Sequence, residues 1–144
     1  MKQQIEYPIN YGLSKAGLPL IAVEMEGNNL CLLVDTGSTL NLLDKRVYDH
    51  LSKDKLDVSL TSDTISNIGI NGIEFKTPRA KLLFKFEECF FKTKFTIFDT
   101  SIAFNKVEEE SGIQIHGILG NEFLIENGWV INFEKLTINS LKQG

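Results

Sequence analysis

The stretch Leu32-Leu33-Val34-Asp35-Thr36-Gly37-Ser38-Thr39-Leu40-Asn41-Leu42-Leu43 sets one carboxylate between two apolar runs. A lone buried charge is costly unless partners stabilise it or a proton neutralises it. Thr36 and Ser38 bring hydroxyl donors, and Gly37 lets backbone N–H groups come close. The pattern reads as a carboxylate held for chemistry at the end of a strand. Asp-Thr-Gly-Ser also suits a plain hairpin turn, since these residues are common turn formers. The apolar flanks favour the first reading, because a simple turn does not need them.

Working outward, 144 residues suit a single domain over 1–144 with its own core. Net charge is −4, which argues against a nucleic-acid surface, since that needs a basic patch. The run Glu108-Glu109-Glu110 reads as a solvated loop. Only two histidines, His50 and His116, are present, so a zinc site is not expected. Cys31 and Cys89 sit in apolar, strand-like contexts and read as buried small hydrophobes in a reducing compartment, with a disulfide between them left open. No apolar run is long enough to cross a membrane, and the first residues do not lead into a signal-type apolar segment, so the expected location is cytoplasmic.

Strand patterns dominate the chain. Residues 1–12 suggest a short strand or arm, and 18–34 reads as a hairpin turning at Glu26-Gly27-Asn28-Asn29 and ending on Asp35. Thr39 to Leu43 reads as a further strand. A short helix follows, with Asp44 as N-cap and His50 on its outer side. Leu56 to Ile65 reads as extended. Ile68-Gly69-Ile70-Asn71-Gly72 reads as a hairpin tip, either a lid that closes on something or a tip settled on its own domain. Glu74 to Phe86 and the Phe91, Phe95, Ile97 alternation read as paired strands with Lys92, Lys94 and Thr96 outward. Residues 99–112 read as a surface loop with at most a helical turn. Ile113 to Gly120 reads as an apolar strand, Asn121 to Gly128 as a second short helix capped by Asn121, and Trp129 to Ile138 as a final hairpin. With two short helices and no βαβ rhythm, the expected class is all-β.

Two features then combine. One strand ends in Asp35-Thr36-Gly37-Ser38, and about eighty residues later another ends in Ile118-Leu119-Gly120 and enters a helix. Gly120 would let two backbones pass closely, with Ile118 and Leu119 sealing the loop from below. In this order, together with the glycine-bearing tip at 68–72, Gly117-Ile118-Leu119-Gly120-Asn121, Phe123-Leu124 and the strand from Val130, the sequence resembles the retropepsin-type aspartic proteases, the single-domain branch of the pepsin clan.

The resemblance implies a closed β-barrel-like acid-protease fold with a flap hairpin at Ile68, Gly69, Ile70, Asn71 and Gly72. It implies that Asp35 is the catalytic carboxylate, that Thr36 locks onto a partner's loop, that Gly37 brings the loop backbone close, and that Ser38 bonds the outer oxygen of Asp35. It also implies that the first and last segments help form a dimer sheet. The family chemistry needs two carboxylates, and this chain carries one Asp-Thr-Gly. The implied enzyme is therefore a homodimer sharing Asp35 across a two-fold axis and cutting a peptide or protein substrate, without a cofactor. The sequence departs from the family in lacking an arginine soon after Gly120, where Asn121-Glu122 stands. Whatever that arginine braces must be held differently here. His116 either faces the cleft or is a satisfied strand histidine. Two other readings compete: a catalytically silent peptide-binding or assembly module on the same fold, and a plain β-sandwich ligand domain with a coincidental turn.

Overall fold

Leu82, Phe84 and Phe86 are buried, while the intervening Leu83 is exposed and Lys85 half-exposed. That period of two makes Glu74–Phe86 a long strand with one face in the core. The architecture around it comes from a computed structural model, which describes residues 2–54, 59–68 and 74–143 and the side chains of 4–51 and 77–140.

In chain order the elements are β1 (Lys2–Pro8), α1 (Asn10–Ala16), β2 (Leu20–Met25), β3 (Asn28–Val34), β4 (Leu42–Asp44), α2 (Lys45–Asp54) and β5 (Ser59–Ile68). Then follow β6 (Glu74–Phe86), β7 (Cys89–Phe98), α3 (Ser101–Ser111), β8 (Gly117–Leu119), α4 (Asn121–Asn127), β9 (Val130–Asn132) and β10 (Thr137–Gln143). Six strands close a barrel in the order β2-β3-β8-β4-β7-β6, and the pairing of Glu24 with Lys85 joins the two ends of the ring. β5 lies outside the ring as the antiparallel partner of β6. A separate sheet has the order β1-β10-β9, in which β1 pairs with β10 from Lys2↔Gln143 to Pro8↔Thr137.

The mostly β architecture agrees with the expected class, but four short helices are described instead of two. The strand expected within residues 1–12 is β1, and α1, which the sequence reading did not include, follows it. This helix ends on Gly17, which has a left-handed φ of 69°, and Gly12 within it is needed because a Cβ there would meet the Leu18 carbonyl at 2.6 Å. α3 occupies most of the expected loop 99–112 and ends on Gly112, again left-handed. It hides its amphipathicity because Phe104 is its one buried residue while Ile102 points outward. On β7 the expected alternation slips, since Thr96 is buried between Phe95 and Ile97.

The core is aromatic at its centre. Phe123 of α4 lies 5.0 Å from Trp129, 5.5 Å from Phe91 and 5.6 Å from Phe84, ring centre to ring centre. Such pairs add about 0.5–1.5 kcal/mol each beyond burial. They fix α4 against the β6–β7 hairpin, and α4 in turn abuts the loop after β3. A smaller cluster of Leu20, Phe104 and Ile115 packs under α3. No disulfide joins Cys31 and Cys89, and burial pushes the Cys31 thiol up to about 11. Among the described residues no helix is long and apolar enough to cross a membrane.

Candidate active site

Asp35 stands one residue beyond the end of β3, half-buried. β3 is laid parallel to β8, with Leu32↔Gly117, Leu33↔Ile118 and Val34↔Leu119 as partners. The Asp35 N–H extends that ladder by donating to the Leu119 carbonyl at 3.0 Å. Gly37 N–H donates to Asp35 Oδ1 at 2.8 Å, and Ser38 N–H closes the turn on the Asp35 carbonyl at 3.1 Å. The Ser38 hydroxyl donates to the Leu40 carbonyl at 2.7 Å. The expected bond from Ser38 to the carboxylate is thus replaced by a bond within the loop, and the carboxylate receives a backbone donor instead. Thr36 is exposed beside it.

The loop is held from α4. The backbone N–H groups of Asn121 and Glu122 donate to the Ser38 and Thr39 carbonyls at 2.8 and 3.1 Å. Those carbonyls therefore serve the helix start, which is why β4 begins at Leu42 and not at Thr39. Gly120 occupies the N-cap position expected of Asn121, without a side-chain cap. The Asn121 amide is left to donate to the Thr36 carbonyl at 2.8 Å. A Cβ on Gly120 would overlap the Leu40 carbonyl oxygen and come within 2.7 Å of the Ser38 oxygen, so only glycine fits this crossing. Leu119 is fully buried in the main core, whereas Ile118 packs with the cluster under α3.

A buried polar network lies behind this loop, and the sequence reading did not find it. Asn41 is fully buried. Its Oδ1 accepts the Gly120 N–H at 2.9 Å, and its Nδ2 donates to Thr93 Oγ1 at 3.2 Å and to the Lys94 carbonyl at 2.9 Å. Its backbone N–H donates to Glu122 Oε2 at 2.6 Å. Glu122 also receives Arg79 Nη2 on both carboxylate oxygens, at 2.8 and 2.6 Å, and Arg79 Nε reaches Thr96 Oγ1 at 3.1 Å. An arginine on β6 and a glutamate on α4 thus brace the start of α4, where Asn121-Glu122 follows Gly120. The available signals were one polar residue, Asn41, inside an apolar run and one arginine, Arg79, buried on the face of β6 opposite Leu82, Phe84 and Phe86.

An open groove of about 820 Å³ starts at Asp35 and Thr36 and passes Asn121. Beyond them it is lined mainly by Leu124, Ile125, Trp129, Val130 and Phe133. The expected flap residues Gly69, Ile70, Asn71 and Gly72 lie outside the described residues. Ile68 closes β5, paired with Glu74.

His116 is a strand histidine. Its Nδ1 accepts the Cys31 N–H at 2.9 Å while its own N–H donates to the Cys31 carbonyl at 2.9 Å. This fixes the neutral tautomer, and burial lowers its pKa from 6.5. With exposed His50 it lines a second pocket of about 350 Å³ beside Asp44 and Arg46, a pocket that none of the residues 35–38 lines. No cluster of three or more His, Cys, Asp or Glu suited to a metal is found among the described residues. The chain matches no protein-family model, and no curated protein matches it.

Proposed function

We propose that the chain is an aspartic endopeptidase of retropepsin type, in which Asp35 of two copies forms the catalytic pair across a two-fold axis. The observation that carries this reading is the tethered Asp35 loop. The carboxylate stands at the open end of β3, accepts the Gly37 N–H, and is fixed in place by β8 and α4. Two carboxylates about 3 Å apart cannot both ionise, so one is base and one is acid. The ionised Asp35 takes a proton from a water, and the resulting hydroxide attacks the peptide carbonyl. The protonated Asp35 of the other copy donates to the carbonyl oxygen, and a proton then reaches the leaving nitrogen. Thr36 of each copy, exposed beside its carboxylate, bonds the other loop and sets the spacing. No metal or cofactor enters these steps.

One observation favours a second reading. β1 is already paired with β10 in the same chain, so the first and last strands do not need a partner, as befits a monomeric peptide-binding module. Peptide-library cleavage from about pH 3 to about pH 7, on the wild type and Asp35→Asn with the particle mass recorded, separates the two. Cleavage by a dimer that vanishes in Asp35→Asn supports the protease. A folded monomer that cuts nothing supports the binding module.

A further inference from the structure

We infer that the pocket of about 350 Å³ between the start of β3, α2 and the segment before β8 binds a small, neutral, planar molecule. Its ring sets a carbonyl oxygen beside an N–H, as a pyrimidine base or a lactam does. None of the residues 35–38 lines this pocket, so the inference stands apart from the protease reading.

The chain has two histidines, His50 and His116, and both line the pocket. So does Asp44, whose side chain is only 3% exposed. Neither His116 nor Asp44 has a part in the chemistry proposed at Asp35. The His116 ring is fixed because its Nδ1 accepts the Cys31 N–H at 2.9 Å. Its proton therefore sits on Nε2, at the opposite edge of the ring, as a donor of set direction.

Asp44 supplies the acceptor. Its Oδ2 takes Arg46 Nε and Nη2 at 2.9 and 2.7 Å. Its Oδ1 has the Arg46 backbone N–H at 3.4 Å, the long limit for such a bond. A buried carboxylate oxygen with so weak a partner has capacity for another donor. The Asp44 backbone N–H donates to the His116 carbonyl at 3.0 Å, which holds the two residues side by side.

Charge narrows the ligand. Arg46 and Asp44 cancel, and His116 is neutral in this tautomer. An anion would meet the buried Asp44 carboxylate, and a cation the Arg46 guanidinium. A neutral ligand with one donor and one acceptor meets neither penalty and satisfies both groups. The remaining walls include Leu30, Val47, Leu51 and Ile115. A flat ring turns its apolar faces to such walls and keeps donor and acceptor on one edge. The volume lies at the lower end for small-molecule sites, which suits a single ring.

The test titrates the isotope-labelled full chain with uracil, and with pyridone as the plain lactam, following the amide signals of Cys31, Arg46 and His116. Saturation is expected with a Kd on the order of 1 mM or below, and the tighter probe tells base from lactam. Dimethyluracil keeps the carbonyls but has no N–H, and is expected to bind about tenfold or more weakly. Asp44→Asn should weaken uracil by a similar factor. Val47→Trp, which fills the pocket from a half-buried position, should abolish binding. Lys92→Gln, exposed on β7 and away from the pocket lining, is the control and binds like the wild type. Near-ultraviolet circular dichroism verifies each fold. If Asp44→Asn does not fold, dimethyluracil and Val47→Trp still decide. No saturation with either probe overturns the site. Undiminished binding to folded Val47→Trp overturns it as well. Equal binding of dimethyluracil, or tighter binding of acetate than of uracil, overturns the ligand class.

Discussion

Asn121 donates its side-chain amide to the Thr36 carbonyl at 2.8 Å, so α4 grips the backbone immediately beside Asp35. The residue thought to cap the helix instead ties the helix to the loop. Asn121→Ala removes this bond at a stability cost of about 1 kcal/mol. Cleavage is expected to fall by about tenfold or more, out of proportion to that cost, because the loop that aims the carboxylate is loosened. Thermal melts and cleavage rates on the same samples check the two numbers against each other.

The Arg79–Glu122 pair gives the second prediction. Arg79 is nearly buried, with its side chain 10% exposed, whereas that of Glu122 keeps 27%. Breaking a buried pair from one side costs about 3–5 kcal/mol, and contact of Glu122 with water lowers this to roughly 2–3 kcal/mol. Glu122→Ala and Arg79→Met should each lose that amount in urea unfolding. The double variant should lose less than the sum, because both act on one interaction. Strict additivity would show that the two side chains are not coupled.

Among the described glycines, Gly120→Ala is expected to be the most damaging substitution. The added methyl meets two backbone carbonyls, which cannot move aside like a flexible side chain. A loss of about 3 kcal/mol or more is expected, read as a lowered melting temperature or failure to accumulate as folded protein. Gly27→Ala offers a contrast, because nothing lies near its Cβ position and only its left-handed backbone, φ 76°, is strained.

His116 makes stability depend on pH. Its Nδ1 accepts the Cys31 N–H, so a proton added there opposes a donor already in place. Burial lowers its folded pKa below the ordinary 6.5, and Arg46 adds to this, while the carboxylates of Asp44 and Glu108 pull the other way. The unfolded chain then binds the proton more readily than the folded one. This contribution to stability is whole above about pH 6.5 and shrinks as pH falls through that value towards the lower folded one. Urea midpoints measured between about pH 7.5 and about pH 5 should fall on acidification, and His116→Leu should flatten that part of the profile.

What the sequence revealed follows a physical divide. The turn at Asp35 and the Gly128 helix end are local, and each depends on residues adjacent in the chain. Gly128 carries the left-handed φ of 64° that a helix end demands. The Arg79–Glu122–Asn41 network joins residues on β6, on α4 and before β4, and no single stretch betrays such a meeting. α3 escaped notice because its apolar residues do not share one face, although Gly112 marked its end. The start of β4 was misjudged because the carbonyls of Ser38 and Thr39 are taken by a helix some eighty residues away.

The pairing of Lys2 with Gln143 also governs the order of folding. It joins nearly the whole chain into one loop, whereas the turn at Glu26-Gly27 links β2 to β3 almost at once. Loop closure over such a span is the slowest contact to form, so β1 must wait for almost all of the chain before it finds β10. By loop length, β1 is then a late addition to the local β9–β10 hairpin. Amide exchange in β1 would report this late step, and in β3 the early one.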